Sequence, residues 1–421
     1  MLRKILVYLF YVGIVFGLLF GTPGMISRLL HGHTDANYGS IVTWGLWVAA
    51  YIYFIGLSAG AFLVSSLVFV FGLKRFEKIG RLAILTAIVT LLMALMSIGL
   101  DLGHLGRSWH VYIWPNFASP MAWMIWLYTA YMLLLFAEAY FLMRADAFEG
   151  RTKPGLAGLI NRILSTGVRS ATEENRTNDM RIVRVLATLG VPLATAFHGG
   201  VGALFGVLAA RPLWHSGLYP ILFLLSAVVS GGAAITLLAY LFLRRDPERA
   251  QIIRSLAVLV LGVLAFELLW ELAEIGVYMY GRMPSHTAAW HVIMSGPHPL
   301  VFWIGQVGFG GIIPLILLLV GIRRQWTEGL TLACLSIALA FFAIRLNIVI
   351  PALSVEEIRG LTTAYIHARW STAYLPSLME WQVMAFIIGV GGVLLALGWR
   401  FLPLRSEQPA APCATEAITN G

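Results

Sequence analysis

An aspartate, two histidines and an arginine fall within ten residues of the stretch SIGLDLGHLGRSWHVYIWPNF, residues 97–117, between two strongly apolar runs. Asp101 closes the first run, and His104, Arg107, Trp109, His110 and Asn116 follow before the next begins. Carboxylate and imidazole together suit proton transfer, because imidazole ordinarily titrates near ~6.5 and changes charge at working pH. For Arg107, Trp109, His110 and Trp114 an interfacial anchor is an equally good reading, with charges in water and rings in an aromatic belt. Asp101 fits that reading less well. It stands at the apolar edge with no lysine nearby, and it needs Arg107, a histidine or a bound hydroxyl as its partner.

Two further sets lie inside apolar runs, where ionisable groups are costly and normally face a bundle interior or a water-filled cavity. His198, in LATAFHGGVGALFG, is the one histidine deep in a run, and glycines beside it admit close backbone approach. Two readings stay open for it: a ring hydrogen-bonded to a backbone carbonyl, or a partner for a quinone carbonyl or quinol hydroxyl. The segment FELLWELAEIGVY spaces Glu267, Glu271 and Glu274 by four and then three residues, which puts them on one helical face. Three such carboxylates cannot all ionise without counter-charges. The stripe therefore suits proton passage, with Arg345 of AIRLNIVI as a structural partner; Glu138 and Glu380 either extend the polar path or, as single residues, are structural. Cys334 in an apolar run and Cys413 in a polar tail make no cluster, so neither an iron–sulfur centre nor another metal site is expected in this chain. Haem is not expected either, since a b-type haem generally takes axial ligands from facing helices and His198 stands alone at depth.

The elements that must position these groups are membrane helices. The chain of 421 residues is 59% hydrophobic and only 12% charged, about half the charged share of a soluble domain. Ten apolar runs are long enough to cross a bilayer: 5–21, 44–72, 80–101, 119–143, 181–208, 217–243, 252–279, 297–321, 328–350 and 378–400. The expected fold class is an all-α integral membrane protein. With the N-terminus inside, 22 of the 29 Lys and Arg residues fall on inner segments, so the positive-inside rule gives N-in/C-in. The net charge of +9 is then topological and implies no nucleic acid. Arg3 and Lys4 ahead of an apolar stretch also describe a signal peptide. GTPGMISRLL follows instead of an A-x-A-like site, which favours a retained helix. The outer connections are 22–43, 102–118, 280–296 and 351–377, the last with room for a short interfacial helix. None holds a soluble catalytic domain, so chemistry on a water-soluble substrate needs a partner.

A weak repeat divides the chain. YFIGLSAGAFLV of the second run aligns with LSAVVSGGAAIT of the sixth, pairing Ser58 with Ser230 and Gly60 with Gly232, and Pro120 of ASPMAW stands opposite Pro299 of PHPLVFW. The third run ends in Asp101 where the seventh carries Glu271 and Glu274. Two tandem four-helix bundles, helices 2–5 and 6–9, are the expected result; recurrence of small-residue packing motifs is the alternative. The chain divides accordingly: first helix and outer loop, 1–43; first bundle, 44–208; second bundle, 217–350; outer loop and last helix, 351–405; disordered tail, 406–421.

Five motifs in order, GLSAG, DLGHLGR, NFASPMAW, ARPLWHSGLYP and YLPSLMEW, cover helices two to ten. In them the chain resembles the polysulfide-reductase/NrfD-type membrane subunits, in the ten-helix form found in quinone-linked hydrogenase and alternative complex III assemblies. The resemblance implies a cofactor-free subunit with menaquinone or ubiquinone as substrate, in a bacterial or archaeal cytoplasmic membrane. It also implies an extracytoplasmic ferredoxin-like iron–sulfur partner, and through it a molybdenum enzyme, hydrogenase or multihaem cytochrome. Carried over residue by residue, the quinone contacts fall on Val48 and Tyr51 and close to His198, inside the first bundle near the outer face. Val48 departs from the family's polar residue. Asp101, His104 and Asn116 complete the pocket, with His198, Asp101 and His104 as proton handlers. Two other classes remain open: a secondary transporter or proton channel built on the carboxylates of the seventh run, and a di-haem cytochrome.

Overall fold

Inside lipid a backbone N–H or C=O has no water to bond, so an apolar run of this length is stable there as a helix. The computed structural model describes residues 1–404 apart from 245, 357, 359 and 368. The tail 406–421 with Cys413, and Arg245, Arg359 and Arg405 of the charge count, lie outside the described residues. Among the described residues ten helices are long and apolar enough to cross a membrane: α1 Leu2–His31, α2 Leu46–Phe69, α3 Glu77–Asp101, α4 Pro120–Glu149 and α5 Glu173–Gly206. They continue with α6 Tyr219–Phe242, α7 Arg249–Tyr280, α8 Val301–Arg324, α9 Thr327–Ser354 and α10 Leu378–Phe401. No strand occurs among the described residues. All ten expected runs are therefore helices.

The differences lie at the ends. α5 starts at Glu173, eight residues before the apolar run: Thr172 accepts a hydrogen bond from Asn175 N, and Glu173 and Glu174 fill the first turn. That is a capped, dipole-matched start which hydropathy cannot register. The connection before it is itself structured, with a short helix at Gly155–Leu164 and ion pairs Arg81–Asp146 and Arg176–Glu149, each 2.5 Å. In 351–377 α9 runs on to Ser354, and the described residues beyond it hold a single turn, Leu361–Thr363, where there was room for a short interfacial helix. A helix of twelve residues sits instead at Pro284–Ser295, begun by a proline at its first turn, where the missing N–H costs nothing. In α8 residues Val301–Ile312 wind in wide π turns. Such turns are rare and commonly mark functional positions.

Helix α2 packs on α3, α3 on α4, α4 on α5 and α5 back on α2; α6, α7, α8 and α9 close a second ring in the same order. The rings meet where α2 lies on α6 and α9, and α5 on α6, while α1 packs on α10 and α10 on α3. Position α2 in the middle follows from its sequence: it is apolar on every face and is buried nearly throughout, as a helix without a polar stripe must be. The GLSAG stretch on α2 and the SGG stretch on α6, aligned on each other as repeats, are pressed together at this junction. A Cβ on Gly60 would stand 2.9 Å from Gly231 Cα and 2.7 Å from the Ala227 carbonyl carbon. Both obstacles are backbone, so no rotamer change relieves them. Gly60→Val should cost about 3 kcal/mol, read as a lowered melting temperature of the solubilised protein; unchanged melting would mean that the helices do not cross here.

Candidate functional site

The largest group of converging polar side chains lies in the second ring. The spacing of four and three brings Glu267, Glu271 and Glu274 of α7 onto the wall of one cavity of ≈ 100 Å³. Opposite stand Gln306, on the π-helical part of α8, and Arg345 and Asn347 of α9. Asn347 Nδ2 donates to Gln306 Oε1 at 2.7 Å, and the Gln306 amide donates to Glu271. The amide thus passes polarity from α9 through α8 to α7. Arg345, 2% exposed, donates to Ser226 Oγ of α6 at 2.7 Å and lies 4.8 Å over the Phe223 ring. It lines the same cavity as Glu267. Trp290, 6% exposed, lines the same cavity from the short helix Pro284–Ser295 with its indole N–H unpartnered. Gln306, Asn347 and Trp290 were not singled out from sequence. Their signal was present in the first two, as uncharged polar residues in otherwise apolar runs.

His198 is fully buried where the rings meet. Its Nε2 donates to Phe223 O of α6 at 2.8 Å, which leaves Nδ1 as the acceptor nitrogen, buried and without a partner. The carbonyl-bonded reading of this residue thus holds at Nε2, and Nδ1 is left open. A Cβ on Gly56 of α2 would have Arg345 Nη2 and His198 Cε1 each at 3.6 Å and Ser230 Oγ at 3.7 Å. One glycine thus marks the corner shared by α2, α5, α6 and α9. Tyr51 lies in an aromatic group beside it: its ring meets Tyr128 at 5.9 Å, and Tyr128 meets Phe197 at 4.7 Å. The Tyr128 hydroxyl is buried and unpartnered as well. Val48, also on α2, is buried.

Asp101 belongs to a different group. Arg28 of α1 donates from Nε to Leu100 O and from Nη2 to Leu102 O, both at 2.7 Å, closing the carbonyl end of α3 with a cation as its dipole favours. His33 Nε2 lies 3.2 Å from Leu100 O, and burial, the largest influence, holds its pKa below the ordinary value and the ring neutral. Burial and then the Asp101 charge raise the Tyr38 phenol well above its ordinary value. Asp101 thus sits among the charges of Glu380 and Arg28, with one carboxylate oxygen buried and unpartnered. Arg28 was not singled out from sequence, because it reads as the flank of a first helix.

The remaining residues are scattered. His104, Arg107, Trp109, His110 and Asn116 are exposed on the connection after α3. Asn116 Oδ1 accepts from Ala118 N at 3.1 Å, a local turn bond. Glu380 caps α10: it takes bonds from Ser377 N at 2.9 Å, Tyr374 Oη at 2.5 Å and Asn37 N at 3.1 Å. Those bonds occupy both its oxygens. Glu138 is buried on α4 with neither oxygen partnered. Tyr51 and His198 are brought together; Asp101, the exposed loop and the α7 stripe each stand apart.

Comparison with known proteins agrees with the motif order. Residues 34–357 match the family model described as polysulphide reductase, NrfD. A subunit of the selenate reductase of Mesobacillus selenatarsenatis is 35% identical, over 97% of this chain and 96% of the relative. The Hdr-like menaquinol oxidoreductase integral membrane subunit of Archaeoglobus fulgidus is 27% identical, over 87% and 86%. The menaquinone reductase integral membrane subunit of Nitratidesulfovibrio vulgaris is 23% identical, over 97% and 93%.

Proposed function

This chain belongs to the polysulphide reductase NrfD family, and from that membership we propose that it exchanges electrons between menaquinol and an iron–sulfur subunit of a respiratory oxidoreductase complex. It is a multi-pass integral membrane protein of a family whose members are membrane subunits of such complexes. The observation that carries the quinone reading is the near full-length similarity to two subunits named for menaquinol oxidation and menaquinone reduction. The basic connections put both termini in the cytoplasm of a bacterial or archaeal cell, so the partner docks on the face bearing 102–118 and the helix Pro284–Ser295. That partner hands electrons to or from a molybdenum enzyme, hydrogenase or multihaem cytochrome.

Quinol oxidation releases two electrons and two protons. The electrons leave for the partner, and the protons need bases in this chain. In the first ring Tyr51, Tyr128 and Phe197 pack edge to face, and His198 Nδ1 beside them accepts a hydrogen bond from a quinol hydroxyl. Asp101, towards the partner face, takes the proton onward to His104 and the loop water. The α7 carboxylates offer a separate proton route through the second ring.

Asp101→Asn keeps the shape of the side chain and removes its basicity. In the assembled complex it should slow quinol-driven turnover by about 100-fold, measured with a soluble quinol analogue in membranes. Native turnover would remove Asp101 from the proton path, and failed assembly with Arg28 in place would make it a clasp between α1 and α3.

A further inference from the structure

We infer that the second ring holds a quinone site of its own, entered sideways from the bilayer between α6 and α7. For the identity of the occupant this rests on the quinone reading above; the site itself rests on the cavity and on the groove that leads into it.

The groove runs between α6 and α7 and shares Leu222, Trp270 and Glu274 with the cavity wall. Its outer lining, Leu218, Phe266, Leu269 and Val277, is exposed and apolar. After Leu264 α7 turns exposed or half-buried residues outward. An exposed apolar channel thus leads into a polar chamber through an opening edged by one aromatic and one carboxylate. That is the layout for a molecule with a long hydrocarbon tail and a compact hydrogen-bonding head.

The charges decide which head. Three carboxyl groups face the chamber beside one guanidinium, Arg345, and each of them that ionises repels a phosphate-bearing lipid head. A neutral head with donors and acceptors at opposite ends meets none. Trp290 offers a buried, unpartnered N–H, and Glu267 a buried, unpartnered oxygen. One suits a quinone carbonyl and the other a quinol hydroxyl; each unmade bond costs about 1–3 kcal/mol while it stays buried. Trp270, Trp290, Phe223 and Phe341 give the chamber aromatic walls, against which a flat ring stacks favourably. The first-ring residues Tyr51 and His198 are not among its lining, so the two sites are distinct.

The test is photolabelling of the whole complex in membranes with an azido-naphthoquinone carrying an isoprenoid tail, with labelled peptides mapped by mass spectrometry. Label is expected on the α7 segment 266–278 in addition to the first ring. Leu222→Trp, which plugs the opening, should abolish the α7 label and leave that of the first ring. Trp290→Phe removes only a donor and should weaken the α7 label by a few-fold, the worth of one hydrogen bond; it carries the test if Leu222→Trp does not assemble. The inference is overturned if label stays confined to the first ring, if both variants label α7 like the native chain, or if a phospholipid or a partner's helix is recovered in the groove. Absence of label anywhere on the chain overturns this site and the quinone reading together.

Discussion

His198→Ala should lower quinol-dependent turnover of the assembled complex by at least about 100-fold, the usual contribution of a positioned proton acceptor. The geometry gives the reason. Nε2 spends its hydrogen on Phe223 O at 2.8 Å, which fixes the tautomer and turns the lone pair of Nδ1 into a buried site without a partner. A ring held in this way accepts a proton without first reorienting. Alanine also strands the Phe223 carbonyl, so loss of turnover alone would not separate chemistry from structure. His198→Gln does so, since an amide can still donate to that carbonyl but cannot take a proton at neutral pH. The expected pattern is that glutamine restores melting behaviour and quinone binding but leaves turnover low. Recovery of turnover by glutamine would reduce His198 to a packing residue.

Arg345→Met should have the largest effect on stability, about 3–5 kcal/mol. Arg345 is 2% exposed and meets Ser226, Phe223 and the His198 corner at once. Methionine fills much of the space but leaves Glu267 buried without its counter-charge and Ser226 without its donor. An uncompensated charge in lipid is the expensive outcome, whereas removing both charges is frequently close to neutral. The double variant Arg345→Met with Glu267→Gln should therefore recover most of the loss, read in thermal melting of the solubilised protein. If the single variant melts like the native chain, the guanidinium does not balance the α7 stripe. If the double variant is as unstable as the single one, its role is packing against Phe223 rather than charge.

Which groups were legible from sequence follows from the range of the forces involved. The α7 stripe was legible because i, i+3 and i+4 spacing is a property of one helix, and its three carboxylates do share one wall. His198 stood out because a histidine among apolar residues has few ways to be tolerated. Gln306 and Asn347 passed unnoticed since an amide costs much less than a charge in an apolar run. Nothing local to α8 or α9 indicates that the two bond to each other at 2.7 Å. Glu380, acidic near an apolar edge, allows two readings, a structural residue or an extension of the polar path, and as the cap of α10 it takes the structural role. Its partners Tyr374 and Asn37 are brought to it by loops whose course no periodicity records.

By itself, the sequence determined the number of spans, their sidedness as a charge expectation, the family and the residue types able to move protons. The family rests on the order of five motifs across helices two to ten; the others follow from hydropathy, charge and spacing along one segment, and lipid enforces helix wherever the run is long enough. Only the tertiary structure decided who meets whom. It set Arg28 on the end of α3, put Arg345 beside His198 across the junction of the rings, and separated Asp101 from both. Those outcomes depend on how ten apolar cylinders nest, which is governed by small residues at crossings such as Gly60 on Gly231 and by shape complementarity among side chains far apart in the chain. The stretch around Asp101 thus keeps its candidate chemistry, but its partners come from α1 and the loop after it rather than from its own neighbours in sequence.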